Sequence, residues 1–445
     1  MKILFISLGC DKNLADSEEM LGLLTAGGHE ITDDETQADA IVINTCCFIK
    51  DAKEESVETI LEMAEYKKTG SCHALIVTGC MAQRYQKEII EEVPEVDAVL
   101  GTTSYGDIVK ALEEAVAGNH FEEFRDIDYL PDTGSKRVLT TGGHFGYLKI
   151  AEGCDKHCTY CIIPKLRGKF RSVPMERLIA QAEDMAEQGV KELILVAQET
   201  TVYGKDLYGK KSLHILLKKL CEIRGIRWIR ILYCYPEEIY DELIETIRDE
   251  KKICHYLDIP IQHASDRILK RMGRRTSKQE LIDIVGKLRK EIPDIVLRTT
   301  LITGFPGETE EDHEELKEFV DEMEFDRLGV FTYSPEENTP AAEMEDQVPE
   351  EVKEERRDEL MELQQEISYD RGQDRIGQEL LVMIEGKVAD ESAYIGRTYG
   401  DAPKVDGYIF VQTGELLMTG DFAKVRVTGA LEYDLIGVLS DEYTE

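Results

Sequence analysis

Three short apolar segments near the start of the chain each end in a cysteine. They read KILFISLGC, AIVINTC and ALIVTGC, and they end at Cys10, Cys46 and Cys80. Each is too continuously apolar for a half-exposed strand, which predicts a parallel sheet covered on both faces. Helical patterns fill the gaps between the segments. The chain is therefore predicted to begin with an open parallel α/β sheet, which we assign to residues 1–125.

Each of these cysteines comes just after the carboxyl end of its predicted strand. In open α/β sheets this edge is where ligands bind. We therefore expect Cys10, Cys46 and Cys80 to lie close together although they are far apart in sequence. The alternative is that they are three buried core thiols, since unpaired cysteines are often buried. Cys47 adjoins Cys46, and the position at a strand end does not separate the two.

A second unit of alternating strands and helices begins near residue 146, after a polar stretch with several glycines. Six strand candidates separated by amphipathic helices predict a partial (βα)6 barrel of parallel strands, whose functional face is the carboxyl end of the strands. We place this unit at residues 140–345. The predicted strands cover residues 147–151, 192–197, 228–233, 256–261, 295–303 and 327–333.

The composition and the hydrophobic pattern change in the last part of the chain. A highly charged helical stretch beyond residue 349 precedes short alternating runs that are punctuated by Gly and Asp. These runs predict a small antiparallel β-barrel at residues 374–442. From Asp374 onward, 14 acidic side chains stand against 6 basic ones. Small barrels of this kind often bind RNA, but the net negative charge of this segment does not favour RNA binding.

Composition excludes several functional classes. The net charge of −37 argues against a general nucleic-acid binder. No apolar stretch approaches the roughly 20 residues that a membrane-spanning helix needs, and the start of the chain does not predict export. We therefore expect a cytoplasmic protein without membrane contact. Because the cytosol keeps thiols reduced, 11 cysteines indicate metal binding or catalysis.

A second cysteine group, in GCDKHCTYCIIPKLRG, follows the first predicted strand of the barrel. Cys154, Cys158 and Cys161 have the spacing C-x3-C-x2-C. A structural zinc site wants four ligands, so it would need a partner such as His144 or His157. A 4Fe-4S cluster held by three thiolates instead leaves one iron free, and S-adenosylmethionine can bind that iron through its amino and carboxylate groups. The spacing favours the cluster.

This spacing, with Tyr160 just before the last cysteine, resembles the motif of radical S-adenosylmethionine (SAM) enzymes. With the segments LGCDKNLADSE, NTCCFI and TGCMAQR, the chain resembles the methylthiotransferases of that superfamily over essentially its whole length, including their C-terminal TRAM barrel. The resemblance implies that the second cysteine group holds a 4Fe-4S cluster that cleaves SAM to a radical. It also implies that Cys10, Cys46 and Cys80, with Cys46 preferred over Cys47, hold a second 4Fe-4S cluster that carries sulfur.

Details of the motifs, including PIQHASDRILKRMGR, look most similar to the members that methylthiolate the β-carbon of an aspartate in small-subunit ribosomal protein twelve, giving 3-methylthioaspartate. That branch implies a basic protein substrate, a sulfur donor, a low-potential electron donor and no direct contact with nucleic acid. One alternative is a tRNA methylthiotransferase acting on a modified adenosine near the anticodon, which would need a basic barrel surface. Another alternative is an iron–sulfur carrier that catalyses no reaction. Such a carrier would use clusters that each have a complete set of four protein ligands.

The resemblance also implies contacts with SAM, and no catalytic residue beyond the clusters. The candidates for these contacts are Tyr160, Glu199, Gln262, Arg298 and Gly304. Gly304 begins GFPGE, which could equally be a turn before a capped helix. Four cations follow the second cysteine group, and we expect one of them to pair with a carboxylate of the substrate or cofactor. They are Lys165, Arg167, Lys169 and Arg171.

Overall fold

The computed structural model of the chain describes residues 1–134 and 136–444. It contains two six-stranded sheets, a closed five-stranded barrel and a two-stranded ribbon. Within those residues, no helix combines the length and the apolar composition that crossing a bilayer requires.

The N-terminal sheet is parallel throughout and has the strand order β2-β1-β3-β4-β5-β6. Its strands are β1 (Lys2–Ser7), β2 (Glu30–Thr32), β3 (Ala40–Thr45), β4 (Ala74–Gly79), β5 (Ala98–Leu100) and β6 (Phe121–Glu123). Its helices are α1 (Asp11–Ala26), α2 (Lys50–Thr69), α3 (Cys80–Arg84), α4 (Gln86–Glu92) and α5 (Ile108–Val116). β3 and β4 are buried along their whole length, as their uninterrupted apolar sequences predict. The open parallel sheet is confirmed.

The central sheet is also parallel, with the order β14-β13-β12-β11-β10-β7. Its strands, with the ribbon β8–β9, are β7 (Phe145–Lys149), β8 (Ala151–Glu152), β9 (Arg171–Ser172), β10 (Glu192–Val196), β11 (Trp228–Ile231), β12 (Ile253–Asp258), β13 (Val296–Thr303) and β14 (Arg327–Thr332). The helices are α6 (Ile163–Arg167), α7 (Met175–Glu187), α8 (Lys205–Tyr208), α9 (Leu213–Cys221), α10 (Asp241–Asp249), α11 (Asp266–Arg271), α12 (Lys278–Glu291) and α13 (Glu310–Met323). The six strands correspond to the six predicted ones, which confirms the partial barrel.

A long helix, α14 (Glu350–Gln373), packs on β14 and α13 and leads into the C-terminal barrel. The strands of this barrel are β15 (Glu379–Lys387), β16 (Ala393–Thr398), β17 (Ile409–Gln412), β18 (Phe422–Ala430) and β19 (Leu435–Thr444). The closed barrel is confirmed. Four of its pairings are antiparallel, and the pairing of β17 with β19 is parallel.

The C-terminal barrel closes the amino end of the central sheet. Tyr147 and Tyr256, inside the partial barrel, share an apolar cluster with Met383 and Phe422 of the C-terminal barrel. At the start of β10, Glu192 is fully buried and accepts hydrogen bonds from Arg230 (2.8 Å) and from Arg397 of β16 (2.6 Å).

The N-terminal sheet covers the opposite end. Arg84 of α3 pairs with Glu336, in the loop after β14, at 2.7 Å, and α1 packs on β7. The carboxyl ends of both sheets therefore meet at the boundary between these two units, where both groups of cysteines lie.

Candidate functional site

The N-terminal cysteine trio lies at the carboxyl edge of its sheet. Cys10 precedes α1, Cys46 follows β3, and Cys80 is the first residue of α3, directly after β4. Cys10 is exposed, whereas Cys46 and Cys80 are buried. Burial, with smaller contributions from the nearby Cys80 and Cys10, raises the pKa of Cys46 to about 12. The strand-end position therefore brings together three residues that are 36 and 34 positions apart in sequence.

Cys46 and Cys47 lie in different surroundings. A Cβ atom at Gly9, where φ is +88°, would lie 2.8 Å from the Cys46 sulfur, so this sulfur faces the loop that carries Cys10. Cys47 is fully buried in the apolar cluster between the sheet and α2, and burial raises its pKa to about 12. Of the two thiols, that of Cys46 adjoins the Cys10 loop.

The second trio occupies the loop between β8 and α6. Cys154 and Cys158 are buried and Cys161 is half-buried. The Cys161 N–H donates to the carbonyl of Cys158 (3.0 Å), and the Tyr235 hydroxyl lies 3.6 Å from the Cys158 sulfur. Burial raises the pKa of Cys154 and Cys161 to about 12, and Cys158 adds to both effects. The loop therefore gathers all three thiols.

The donor chemistry of both trios fits an iron–sulfur cluster. Thiols whose pKa is about 12 stay protonated unless a cation such as iron displaces the proton. In the described part of the chain, no three Cys, His, Asp or Glu side chains form a compact set for a single metal ion. His144, one partner that zinc would have needed, lies instead 2.7 Å from Glu385 of the C-terminal barrel.

A buried network of charges lies between the two trios. Arg167 of α6 donates to Asp16 of α1 (2.8 Å) and to Glu152 of β8 (3.1 Å). Lys149 donates to Glu152 (2.8 Å) and also to Asp16. Arg167 partly offsets the effect of burial, which raises the pKa of Cys80. The network therefore ties the helix after Cys10 to the segments on both sides of the second trio.

This network changes the interpretation of the cations that follow the second trio. Arg167 is buried and held by protein carboxylates, and Lys165 donates to the carbonyl of Asn338 (2.7 Å). Arg167 therefore has carboxylate partners within the protein, and the pairing of one of the four cations with an external carboxylate stays a prediction. The sequence did not reveal its partner Asp16, which comes from a helix 151 residues earlier.

Two of the predicted SAM contacts, Glu199 and Tyr160, lie around the second trio, and a third, Gln262, lies at the carboxyl side of the central sheet. Glu199 is buried, accepts a hydrogen bond from Thr201 (2.8 Å) and lies 3.7 Å from Lys156. Burial raises the pKa of Glu199 to about 7. The Tyr160 ring packs edge-on against Phe305, with the ring centroids 6.4 Å apart. Gln262, at φ +74°, bridges to Leu301 of β13 at the carboxyl side of the sheet.

The other two predicted contacts have partners within the protein. Arg298 lies 2.9 Å from Asp258 and 3.2 Å from Asp406 of the C-terminal barrel. A Cβ atom at Gly304, where φ is +69°, would collide with the side chain of Lys353 in α14. The packing of α14 and a left-handed turn therefore account for this glycine.

Comparison with known proteins places the chain in a family. Residues 2–101 match the uncharacterized protein family UPF0004, residues 148–320 the radical SAM superfamily, and residues 376–439 the TRAM domain. The "ribosomal protein uS12 methylthiotransferase RimO" of Lachnoclostridium phytofermentans is 66% identical over 437 residues, which cover 98% of this chain and 99% of that protein. A protein of the same name from Clostridium botulinum strain Eklund 17B is 51% identical over 99% of this chain and 98% of its own.

The chain belongs to the RimO family of methylthiotransferases. This membership makes it a SAM-dependent transferase of the radical SAM superfamily, with the iron–sulfur and SAM binding that characterise that superfamily. The family resemblance inferred from the cysteine motifs is therefore confirmed.

Solved structures with low sequence identity share the fold of this methylthiotransferase. The radical SAM methyltransferase TsrM from Kitasatospora setae, with cobalamin and a [4Fe-4S] cluster bound, has a TM-score of 0.56 at 14% identity and covers 76% of this chain and 73% of its own. The radical SAM enzyme OxsB, with aqua-cobalamin and SAM bound, has a TM-score of 0.52 at 15% identity over 82% and 56%.

A buried cation of this methylthiotransferase, Arg274, was not among the predicted site residues. Arg274 is 6% exposed, and its guanidinium carbon lies 4.3 Å from the centroid of the Tyr235 ring. Its Nη2 donates to the carbonyl of Pro260 (2.8 Å), while its Nε and Nη1 have no partner among the described residues. Burial raises the pKa of Tyr160, and the charge of Arg274 opposes that rise. Arg274 lies in a basic run typical of a solvated helix face, so the sequence held no clear signal.

Proposed function

We propose that this methylthiotransferase inserts sulfur and a methyl group at the β-carbon of an aspartate in ribosomal protein uS12, forming 3-methylthioaspartate. The observation that carries the proposal is the 66% identity, over nearly the whole chain, to a protein named as a uS12 methylthiotransferase. Residues 1–125, 140–345 and 374–442 are the proposed domains, and the cytoplasm is the proposed location.

The proposed cofactors are SAM and two 4Fe-4S clusters, one on Cys154, Cys158 and Cys161 and one on Cys10, Cys46 and Cys80. The approach of the Cys46 sulfur to Gly9 favours Cys46 over Cys47 as the ligand. When bound, these groups supply a radical that can take hydrogen from an unactivated C–H bond, and the sulfur that replaces that hydrogen. Acid–base catalysis could not start such a reaction, because the carbon has no acidic proton.

Residues near the second trio are suited to hold SAM. Two buried nitrogens of Arg274, Nε and Nη1, have no hydrogen-bond partner among the described residues, and such donors pair well with a carboxylate. Glu199 is a buried acceptor near the same loop. Tyr160 and Gln262 are also proposed contacts with SAM, which shape its binding pocket. Arg298 and Gly304 stay proposed contacts as well, although Asp406 and Lys353 give each of them a structural role.

The charge of the C-terminal barrel supports a basic protein as the substrate. The segment from Asp374 has 14 acidic and 6 basic side chains. Such a surface repels a phosphate backbone and attracts a basic protein. The reaction also requires a sulfur donor and a low-potential electron donor as partners.

The test is a reaction with two possible substrates. Anaerobically reconstituted enzyme, with SAM, a reductant and a sulfur source, is incubated with a uS12 peptide that contains the target aspartate and separately with tRNA. We expect the uS12 peptide, and not the tRNA, to gain mass. The gain should equal one methylthio group minus the hydrogen that it replaces. Cys158→Ala should abolish this product, whereas Cys221→Ala, in α9, should not. A product on tRNA alone would overturn the proposal.

A further inference from the structure

Lys12 places a buried positive charge at the boundary between the N-terminal sheet and the central barrel. It lies in the first turn of α1, two residues after Cys10, and is 9% exposed. Its ammonium lies 3.5 Å from the centroid of the Tyr233 ring. Within residues 1–134 and 136–444, no carboxylate lies within the 4.0 Å of Lys12 that defines an ion pair.

The neighbouring acid, Asp11, is engaged elsewhere. The Tyr233 hydroxyl donates to the Asp11 carboxylate at 3.4 Å, and burial and then the charge of the same carboxylate raise the pKa of Tyr147, on β7. These two tyrosines belong to the central barrel, so the start of α1 rests on the open end of that barrel. The Lys12 ammonium therefore lies where the two units meet, with no carboxylate of the described residues in direct ion-pair contact.

Two features argue that this arrangement is not only structural. A buried ammonium is costly unless an anion compensates it, and the chain has 90 acidic side chains from which a partner could have come. Tyr233, which supports the ammonium, adopts φ +60°, a conformation that is unusual for a residue other than glycine. Strained backbone of this kind concentrates at functional sites.

We infer that Lys12 binds the side-chain carboxylate of the target aspartate. This inference rests on the proposed function. The carboxylate carbon is bonded directly to the β-carbon, so an ion pair with Lys12 would hold the reacting carbon beside Cys10. The same pair would select aspartate over asparagine, which has the same shape but no charge.

The test compares two uS12 peptides that differ only in having Asp or Asn at the target position. Their dissociation constants are measured by fluorescence anisotropy with anaerobically reconstituted enzyme and SAM. We expect wild-type enzyme to bind the Asp peptide about tenfold more tightly or better. For Lys12→Met the ratio of the two constants should fall to about one, and Lys12→Arg should keep most of the preference.

A matched control is Lys110→Met, which removes an exposed lysine that also lies over an aromatic ring, at 5.0 Å from the centroid of Phe121. This variant should keep the wild-type ratio. Because each ratio is taken within one variant, a partial loss of folded or loaded enzyme lowers both affinities and leaves the ratio unchanged.

The outcomes separate this inference from the proposed function. A wild-type preference that survives in Lys12→Met would overturn the inference, as would a wild-type enzyme that modifies the Asp peptide but binds both peptides equally. A loss of SAM affinity in Lys12→Met with an unchanged peptide ratio would assign Lys12 to the cofactor carboxylate and overturn it too. If wild-type enzyme does not modify the Asp peptide, the proposed function itself fails, and the inference fails with it.

Discussion

Arg167 and Asp16 form a buried ion pair, with 2.8 Å between guanidinium and carboxylate, across the boundary between the N-terminal sheet and the central barrel. Arg167 comes six residues after Cys161, and Asp16 six residues after Cys10. Glu152 and Lys149 complete the network. The relative position of the two cysteine trios is therefore set by fixed charges with few alternative arrangements, as well as by apolar packing.

Removing the cation from this network should destabilise the protein strongly. Arg167→Met leaves Asp16 and Glu152 with Lys149 as their remaining buried partner. Breaking a buried network in this way typically costs about 3–5 kcal/mol, which chemical denaturation followed by circular dichroism would measure. Arg248→Met, which removes an exposed cation paired with Asp249, should behave like wild type. Equal stability of the Arg167 variant and wild type would contradict this role.

The neighbouring thiols Cys46 and Cys47 should differ in iron binding. Cys46→Ser removes a proposed ligand, so the anaerobically reconstituted variant should hold about half of the wild-type iron. Cys47→Ser changes a buried core thiol and should keep the full iron content, with some loss of stability. Iron analysis and electron paramagnetic resonance would check both variants. The reverse pattern would show that Cys47 is the ligand.

Arg274 offers a prediction about cofactor binding. Its Nε and Nη1 have no hydrogen-bond partner among the described residues, so Arg274→Met removes only the hydrogen bond to Pro260 and the contact with Tyr235, and the metal-free protein should lose about 1–2 kcal/mol of stability. The affinity for SAM should fall about tenfold or more, because a charge-assisted hydrogen bond to the carboxylate is lost. The affinity of Arg274→Lys for SAM should lie between those of wild type and Arg274→Met. Equilibrium binding to the reconstituted enzyme measures this, and an unchanged dissociation constant would refute the assignment.

The contact between His144 and Glu385 should make the docking of the C-terminal barrel depend on pH. Burial opposes ionisation of Glu385, but His144 and Arg397 outweigh burial and lower its pKa below the usual 4.5. The folded state therefore binds fewer protons than the unfolded state as the pH falls below about 5. The resulting stabilisation is fully present above pH 4.5 and is lost as the pH falls through the lowered pKa.

Glu385→Gln isolates this effect. The wild type should be more stable than the variant at pH 7, and the difference should shrink as the pH is lowered from 5 to 3. Thermal unfolding at several pH values provides the measurement. If the difference in stability stays constant over this range, protonation of Glu385 does not contribute to the pH dependence of folding stability.

Continuous apolar patterns predicted β1, β3 and β4, and the rule that parallel strands end at one edge predicted the convergence of Cys10, Cys46 and Cys80. β2, β5 and β6 were not predicted, because each has three residues and no usable period. The pairing of Arg167 with Asp16 was also missed, since it depends on how the N-terminal sheet and the central barrel pack against each other. Lys12 and Arg274 look like surface cations in the sequence, and only their burial distinguishes them.

The central claim is that each chain holds two clusters, one on each cysteine trio. Anaerobic iron and sulfide analysis of fully reconstituted enzyme tests it most directly. We expect about eight irons per chain, and about four in each of the triple variants in which Cys10, Cys46 and Cys80, or Cys154, Cys158 and Cys161, are replaced by Ala. Four irons per chain in the fully loaded wild type, with no further loss when the N-terminal trio is replaced, would contradict the claim.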